Sequence, residues 1–154
     1  MMKLIHFTDT HLVEPGKLLK NLDPHSRFKA CINDLVLNHA DAECCVITGD
    51  LADRGDAAAY EILSLELDHY NVPTYLLVGN HDLHHKLQKS RLNVELDENG
   101  FVQYEVNTSQ GIFLILDTVN PGTHGGVYCE LRQKWLNEKL HEHSDTPTFL
   151  FMHH

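Results

Sequence analysis

Positive charge, paired cysteines and long apolar runs are what this sequence lacks. Lys and Arg number 12 against 22 Asp and Glu, for a formal net charge of −10. Nonspecific binding to a nucleic-acid polymer needs clustered Lys and Arg against the phosphates, so that class of function is excluded. A small phosphate substrate is not, because bound metal ions can reverse the field locally. No apolar run approaches the length of a membrane span, so no membrane partner is expected. The opening stretch Met1-Met2-Lys3-Leu4-Ile5-His6-Phe7 enters a strand-like run directly, without the long apolar centre and small-residue cleavage site of a secretory leader. Cys31, Cys44, Cys45 and Cys129 show no paired metal spacing, and no secretory context favours disulfides. They are expected to be reduced and mostly buried, and the protein is expected in the cytoplasm. A Gly-x-Gly-x-x-Gly after the first strand is also missing, which sets aside a Rossmann-type dinucleotide-binding module.

What is present suits one globular domain. The 154 residues, 42% hydrophobic and 22% charged, are enough for a proper core. No repeat, low-complexity tract or linker divides them, so 1–154 reads as a single domain. Apolar periodicity alternates between strands and helices. Lys3–Thr8 is a strand candidate, and Asp23-Pro24 starts a helix with a capping carboxylate and a proline at the first position. Phe28, Ile32, Leu35 and Val36 carry that helix to about His39. Cys44–Thr48 is a second strand, Asp56 can cap a helix through Tyr70, and Thr74–Val78 is a third strand. Phe101–Val106 and Gly111–Asp117 read as adjacent strands about a Thr108–Gly111 turn. Leu131, Trp135, Leu136 and Leu140 form a helical stripe, and Thr148–Met152 is a last strand. The pattern is α/β.

Thirteen histidines is the one unusual count, and their placement matters more than their number. Strands one, two, three and the last each end in a polar cluster: Asp9-Thr10-His11, Gly49-Asp50, Gly79-Asn80-His81-Asp82 and His153-His154. Singly, each has an ordinary reading. Asp-x-His is common by chance, Gly-Asp favours turns, Cys44-Cys45 is strand core, and His84 and His85 read as solvated loop residues. In an open α/β sheet, however, the loops beyond the carboxyl ends of the strands form the ligand crevice. Four such clusters on one edge are a site-building pattern. Asp9 and His11 can both face one cation where the strand opens into a loop. Asp50 has two oxygens able to bridge two ions, Asn80 offers an amide oxygen, and His153 an imidazole nitrogen. This mixed set suits divalent manganese, iron, cobalt or zinc (Mn, Fe, Co or Zn) and lacks the thiolates of a structural zinc site.

The order Asp9-x-His11, Gly49-Asp50-x-x-Asp53-Arg54-Gly55, Gly79-Asn80-His81-Asp82, Met152-His153-His154 resembles the calcineurin-like metallophosphoesterase superfamily. The closest likeness is to its bacterial class III cyclic-nucleotide and glycerophosphodiester phosphodiesterases, and it runs from about Lys3 to the C-terminus. The resemblance implies a layered β-sandwich flanked by helices, of which this would be the N-terminal part. It implies two divalent transition metal ions and a hydroxide between them that attacks a small phosphodiester. Asp9 and His11 would hold the first metal, Asp50 would bridge both, and Asn80 with His153 would hold the second. His81 would face the phosphate and stabilise the transition state or protonate the leaving oxygen. Asp53 would orient His81 by a hydrogen bond, and Arg54 is a weaker candidate for phosphate contact. His154 does not match the ligand position. Family members continue with further strands and a Gly-His-x-His motif that completes both metal shells, and no such motif occurs here. Each shell is therefore expected one protein ligand short, and either the chain is a truncated, cleaved or frame-disrupted product or a homo-oligomer or another chain covers the open apolar face. The alternative is a truncated, catalytically impaired metal- or nucleotide-binding domain.

Overall fold

The computed structural model describes residues 2–92 and 94–154. Three apolar runs form a parallel sheet of order β1-β2-β3, with β1 at Leu4–Phe7, β2 at Cys44–Thr48 and β3 at Thr74–Leu77. All five residues of the central β2 are buried, as a near-continuous apolar strand in a covered parallel sheet should be. Parallel strands need crossovers, and helices α1 (Pro24–Asn38) and α2 (Ala57–Leu67) supply them. The Asp23 carboxylate accepts the Ser26 N–H at 3.1 Å, so the expected N-cap forms. Asp56 occupies the second N-cap position but makes no side-chain cap bond. Helix α2 ends at Leu67, three residues before the expected Tyr70. Its tail tightens into turns, Glu66 O to His69 N and Leu67 O to Tyr70 N, which swing Tyr70 into the core, where its hydroxyl donates to His39 O.

After a short helix α3 (His84–Leu87) comes a second sheet of order β4-β5-β6. Strands β4 (Tyr104–Thr108) and β5 (Gly111–Ile115) form an antiparallel hairpin, and β6 (Thr148–Phe151) lies parallel to β5. β4 begins later than the expected Phe101. Asp97 Oδ1 accepts the N–H groups of Asn99 and Phe101, and that turn takes up the preceding residues. Helix α4 (Glu130–Glu142) lays Trp135 and Leu136 on Ile112, Leu114 and Leu116 of the second sheet, while Leu131 and Leu140 of the expected stripe stay exposed. One core cluster draws on both sheets, including Ile47 and Leu77 from the first and Val106, Phe113 and Ile115 from the second. Tyr104 also bridges them: its hydroxyl donates to Leu76 O at 2.8 Å and accepts the Leu76 N–H at 3.1 Å. That closes part of the free edge of β3. At the other end of the second sheet, β6 is an edge strand that leaves Phe149, Leu150 and Met152 about half exposed.

Cys44 and Cys45 are buried as expected, and Cys31 and Cys129 are half-buried; all four are free thiols. Burial pushes the Cys45 thiol up to about 12, which makes it inert. No helix among the described residues is long and apolar enough to cross a membrane.

His84 departs from the expectation of a solvated loop residue. Its Nε2 stands 2.6 Å from Oδ2 of the wholly buried Asp117. Asp117 also accepts the N–H groups of Val102 and Val119, and Arg132 Nη2 at 3.1 Å. Arg132 is itself only 3% exposed and stacks over the Phe101 ring at 4.2 Å. Burial acts to raise the Asp117 pKa, but the His84 hydrogen bond and the charges of His84 and Arg132 hold it below the usual carboxylate value. Its contribution to stability is therefore present above the ordinary carboxylate pKa of about 4 and is lost as pH falls through the depressed folded value. Asp117→Asn should strand the Arg132 charge and cost about 3–5 kcal/mol in urea unfolding near neutral pH. The variant should also lack this acid-side dependence; a loss below 1 kcal/mol would contradict the pairing.

Candidate metal centre

Register brings the strand ends together. Phe7 pairs with Ile47, and Thr48 with Leu77, so the chain leaves β1, β2 and β3 along one edge. The segments after β1 and β2 stay side by side through Asp9 N–H to Gly49 O and His11 N–H to Asp50 O. Asp9, His11 and Asp50 have φ of 57°, 41° and 49°. Non-glycine residues avoid that left-handed region, and such strain collects at functional sites.

Asp50 lies at the centre, 4% exposed. Its Oδ2 is 3.4 Å from His11 Nε2 and 3.5 Å from His153 Nε2, and its Oδ1 accepts the His81 N–H at 3.0 Å. His11 Nε2 is also 3.5 Å from Asp9 Oδ1. Of the three groups of ligand-type atoms lying within 4.8 Å of one another among the described residues, two form here: His11, Asp50 and His81, and Asp9, Asp50 and His153. Asp50 belongs to both, and the third group, Glu105, Glu142 and His143, does not include it. His81, expected beside the metals and not on them, stands within one group. Asn80 follows Gly79, which abuts Asp50, and its Nδ2 is 3.2 Å from Nδ1 of His124.

The imidazole protons are placed by carbonyl partners, which can only accept. His153 Nδ1 donates to Thr48 O at 2.7 Å, and His81 Nδ1 to Asp53 O at 2.6 Å. Each ring, when neutral, is left with its lone pair on Nε2. Backbone support of this kind is what fixes a metal-binding histidine. The expected hydrogen bond between Asp53 and His81 forms through the backbone. It is the Asp53 backbone carbonyl that holds His81, while carboxylate Oδ1 is 3.9 Å from His81 Nδ1 and nearer, at 3.4 Å, to His11 Nδ1. Arg54 is exposed and lies 3.7 Å from Asp53 Oδ2.

The donor set fits divalent cations. A nearly sealed carboxylate with no Lys or Arg paired to it among the described residues faces imidazole lone pairs, and buried charge demands a counter-charge. Close packing explains the two glycines of the motifs. A Cβ on Gly49 would lie 2.7 Å from His153 Nδ1, and one on Gly79 would lie 2.2 Å from Asp50 Oδ1 and 2.4 Å from Asp50 N.

Several contributors escaped the sequence reading. Asp82, seen there only as the end of a motif, accepts bonds from Leu51, Ala52, Gly79 and Tyr60. His124 and the Asp117–Arg132 pair had no signal beyond a Gly-rich loop and an ordinary helix.

Clustered carboxylates and imidazoles at the ends of parallel strands define a divalent-metal site on a mixed α/β scaffold. More narrowly, the chain belongs to the calcineurin-like phosphoesterase family, whose profile matches residues 2–154. It is 36% identical, over 99% of its length, to a probable cyclic nucleotide phosphodiesterase of Rhodopseudomonas palustris, and spans 57% of that protein. A cAMP/cGMP dual specificity phosphodiesterase of Mycobacterium tuberculosis is 30% identical over 98% of this chain and 49% of its own. A probable glycerophosphodiester phosphodiesterase of Arcobacter nitrofigilis is 27% identical over 99% and 57%. The chain thus spans about half the length of these relatives. Among solved structures, a purple acid phosphatase from yellow lupin shares the fold, with a TM-score of 0.64 at 13% identity over 91% of this chain and 27% of that one. The family implies divalent metal ions.

Gly79→Ala should push the Asp50 loop out of place. Elemental analysis after manganese loading should show metal affinity lowered by about 10–100-fold, the range for disturbed support of a ligand. Unchanged affinity would show that the close approach of Gly79 to Asp50 is not needed.

Proposed function

We propose that the protein is a phosphodiesterase that uses two divalent transition metal ions to hydrolyse a small phosphodiester of the cyclic-nucleotide or glycerophosphodiester type. The observation that carries this reading is Asp50, a buried carboxylate shared by two groups of ligand atoms. The names of the relatives support the substrate class. By the ligand order that the family resemblance implies, Asp9, His11 and Asp50 would hold one ion, and Asp50, Asn80 and His153 the other; the grouping by distance differs in setting Asp9 with His153 and His81 with His11. The ions would supply an acidified water molecule and positive charge against the phosphoryl oxygens.

The chain's own residues do the rest. Thr48 O and Asp53 O keep His153 and His81 in the tautomer with Nε2 free. Because Nδ1 of His81 already carries a proton, donation from Nε2 requires the imidazolium form. In that form His81 can place charge beside a phosphoryl oxygen or pass a proton to the departing alkoxide. A cavity of about 430 Å³ opens beside Asp9 and His11. Leu19, Leu22 and Phe28 give it apolar walls, and Lys20 and Arg27 add positive charge. It suits the organic part of a diester, with the anionic centre at its mouth.

Turnover of an aryl phosphodiester by the manganese-loaded chain tests the reading, and a loaded chain no faster than free manganese would overturn it. Stoichiometry separates the ligands. Asp50→Ala should abolish both equivalents, and Asn80→Ala should leave about one, as two-ion sharing requires; equal stoichiometry in both would contradict bridging. His81→Ala should retain metal and lose rate by ~10²–10⁴-fold. An aryl leaving group needs little protonation, so general-acid action predicts a larger loss on alkyl diesters than on aryl ones.

A further inference from the structure

Asn80 can serve a cation only through its amide oxygen, since the amide nitrogen has no lone pair to offer. Which end faces the centre is decided by what the nitrogen meets on its other side. Asn80 Nδ2 lies 3.2 Å from His124 Nδ1. An amide NH₂ donates, so Nδ1 accepts, and the neutral His124 ring carries its proton on Nε2. The same ring has its centroid 6.0 Å from that of His81. His124 therefore stands against both halves of the Asn80-His81 pair.

The loop that carries His124, residues 120–126, is anchored at both ends. Buried Arg132 donates to Val119 O at 3.0 Å and Val127 O at 2.8 Å, and Val127 N–H donates to Thr118 O at 2.9 Å. Arg132 also pairs with Asp117, which takes His84 Nε2 on its other oxygen. His84 lies just beyond Asn80-His81 in the chain. One buried ion pair thus ties the His124 loop to the segment that carries Asn80.

We propose that His124 is a positioning residue that holds the Asn80 amide with its oxygen turned to the metal centre. Outer partners of this kind fix ligand orientation, and their loss typically weakens metal affinity by about 10–100-fold. The inference rests on the reading of Asn80 as a ligand.

His124 is exposed, so its substitution should leave the fold intact. The 154-residue chain is compared with His124→Ala, His124→Gln and Asn80→Ala. In metal-free protein at alkaline pH, long-range ¹⁵N–¹H correlation should show His124 protonated on Nε2. The Asn80 NH₂ signals should shift in His124→Ala. In manganese titrations, His124→Ala should weaken one of the two equivalents by about 10–100-fold and leave the other unchanged. His124→Gln, whose Oε1 can accept the same N–H, should recover most of that loss. A His124 proton on Nδ1 would overturn the inference. So would a His124→Ala chain that binds both equivalents like wild type while Asn80→Ala loses one, and then the ligand reading of Asn80 survives. If Asn80→Ala keeps both equivalents, the ligand reading and the inference fall together.

Discussion

Asp82 takes four hydrogen bonds in a space that leaves it 2% exposed. Its Oδ2 accepts the N–H groups of Leu51 at 3.1 Å and Gly79 at 2.9 Å, and its Oδ1 accepts Ala52 N–H at 3.1 Å and the Tyr60 hydroxyl at 3.0 Å. Burial pushes the carboxyl pKa up, and the four donors pull against that by satisfying the charged form. Leu51 and Ala52 follow the turn after β2, and Gly79 begins the turn after β3. The two turns that carry Asp50 and Asn80 are therefore locked to one acceptor. Tyr60 adds α2 to the lock, because its hydroxyl also receives the Leu83 N–H. With the turns held this close, a side chain at residue 79 has no room, and Asp50 is shut away from water. The charge that seeks a cation is buried because another carboxylate, fully satisfied, holds the walls.

The second sheet completes the site from a distance. β6 is separated from Asp50 by about a hundred residues of chain, yet the parallel pairing of Ile115 with Phe151 sets where it ends. Phe151 packs against Phe113 and against the His6 ring of β1, so the last strand is docked on both sheets before the chain reaches His153. The Thr48 carbonyl then fixes the His153 ring. Asp117 and Arg132 do a parallel service on the other flank. Two buried carboxylates, Asp82 with its neutral donors and Asp117 with Arg132, and one shared apolar core hold these loops and the end of β6 about Asp50.

Much of this was legible from residue order. The parallel strands could be read because β2 is an unbroken apolar run ended by Gly-Asp, and α1 because Asp23-Pro24 is a cap with a mechanism. Asp9, His11 and Asp50 could be read as converging because each follows a strand on one edge of the first sheet, whereas His153, expected on that edge, arrives from β6 of the second sheet. Gly49 and Gly79 looked like turn residues, and they are, but close approach to His153 and Asp50 is what excludes a side chain. Asp53 can be read from sequence as a partner of His81, but residue order does not tell its backbone carbonyl from its carboxylate, and the carbonyl is the acceptor. His84 was misjudged because its partner, Asp117, lies 33 residues away and is buried by a helix from elsewhere in the chain. His124 and Asp82 act through hydrogen bonds that have no periodicity and leave no mark in composition.

Of the five described non-glycine residues with positive φ, three belong to the charged centre, and the other two are Lys20 and Asn21. Asp9, His11 and Asp50 adopt left-handed backbone angles, each at a cost of order 1–3 kcal/mol. Asp50 is sealed with its carboxylate within 4.8 Å of ligand atoms of Asp9 and His153, and no Lys or Arg pairs with it among the described residues. None of it helps the fold, and the N–H to C=O bonds from Asp9 and His11 to the β2 turn keep it in place. A cation is the one partner that would relieve the charge without relaxing the backbone. Binding energy spent this way enters the stability of the folded state, because the unfolded chain has no preformed site. The left-handed turns therefore make sense as a means of aiming oxygen and nitrogen lone pairs at one small volume, at the ends of strands rigid enough to resist springing back.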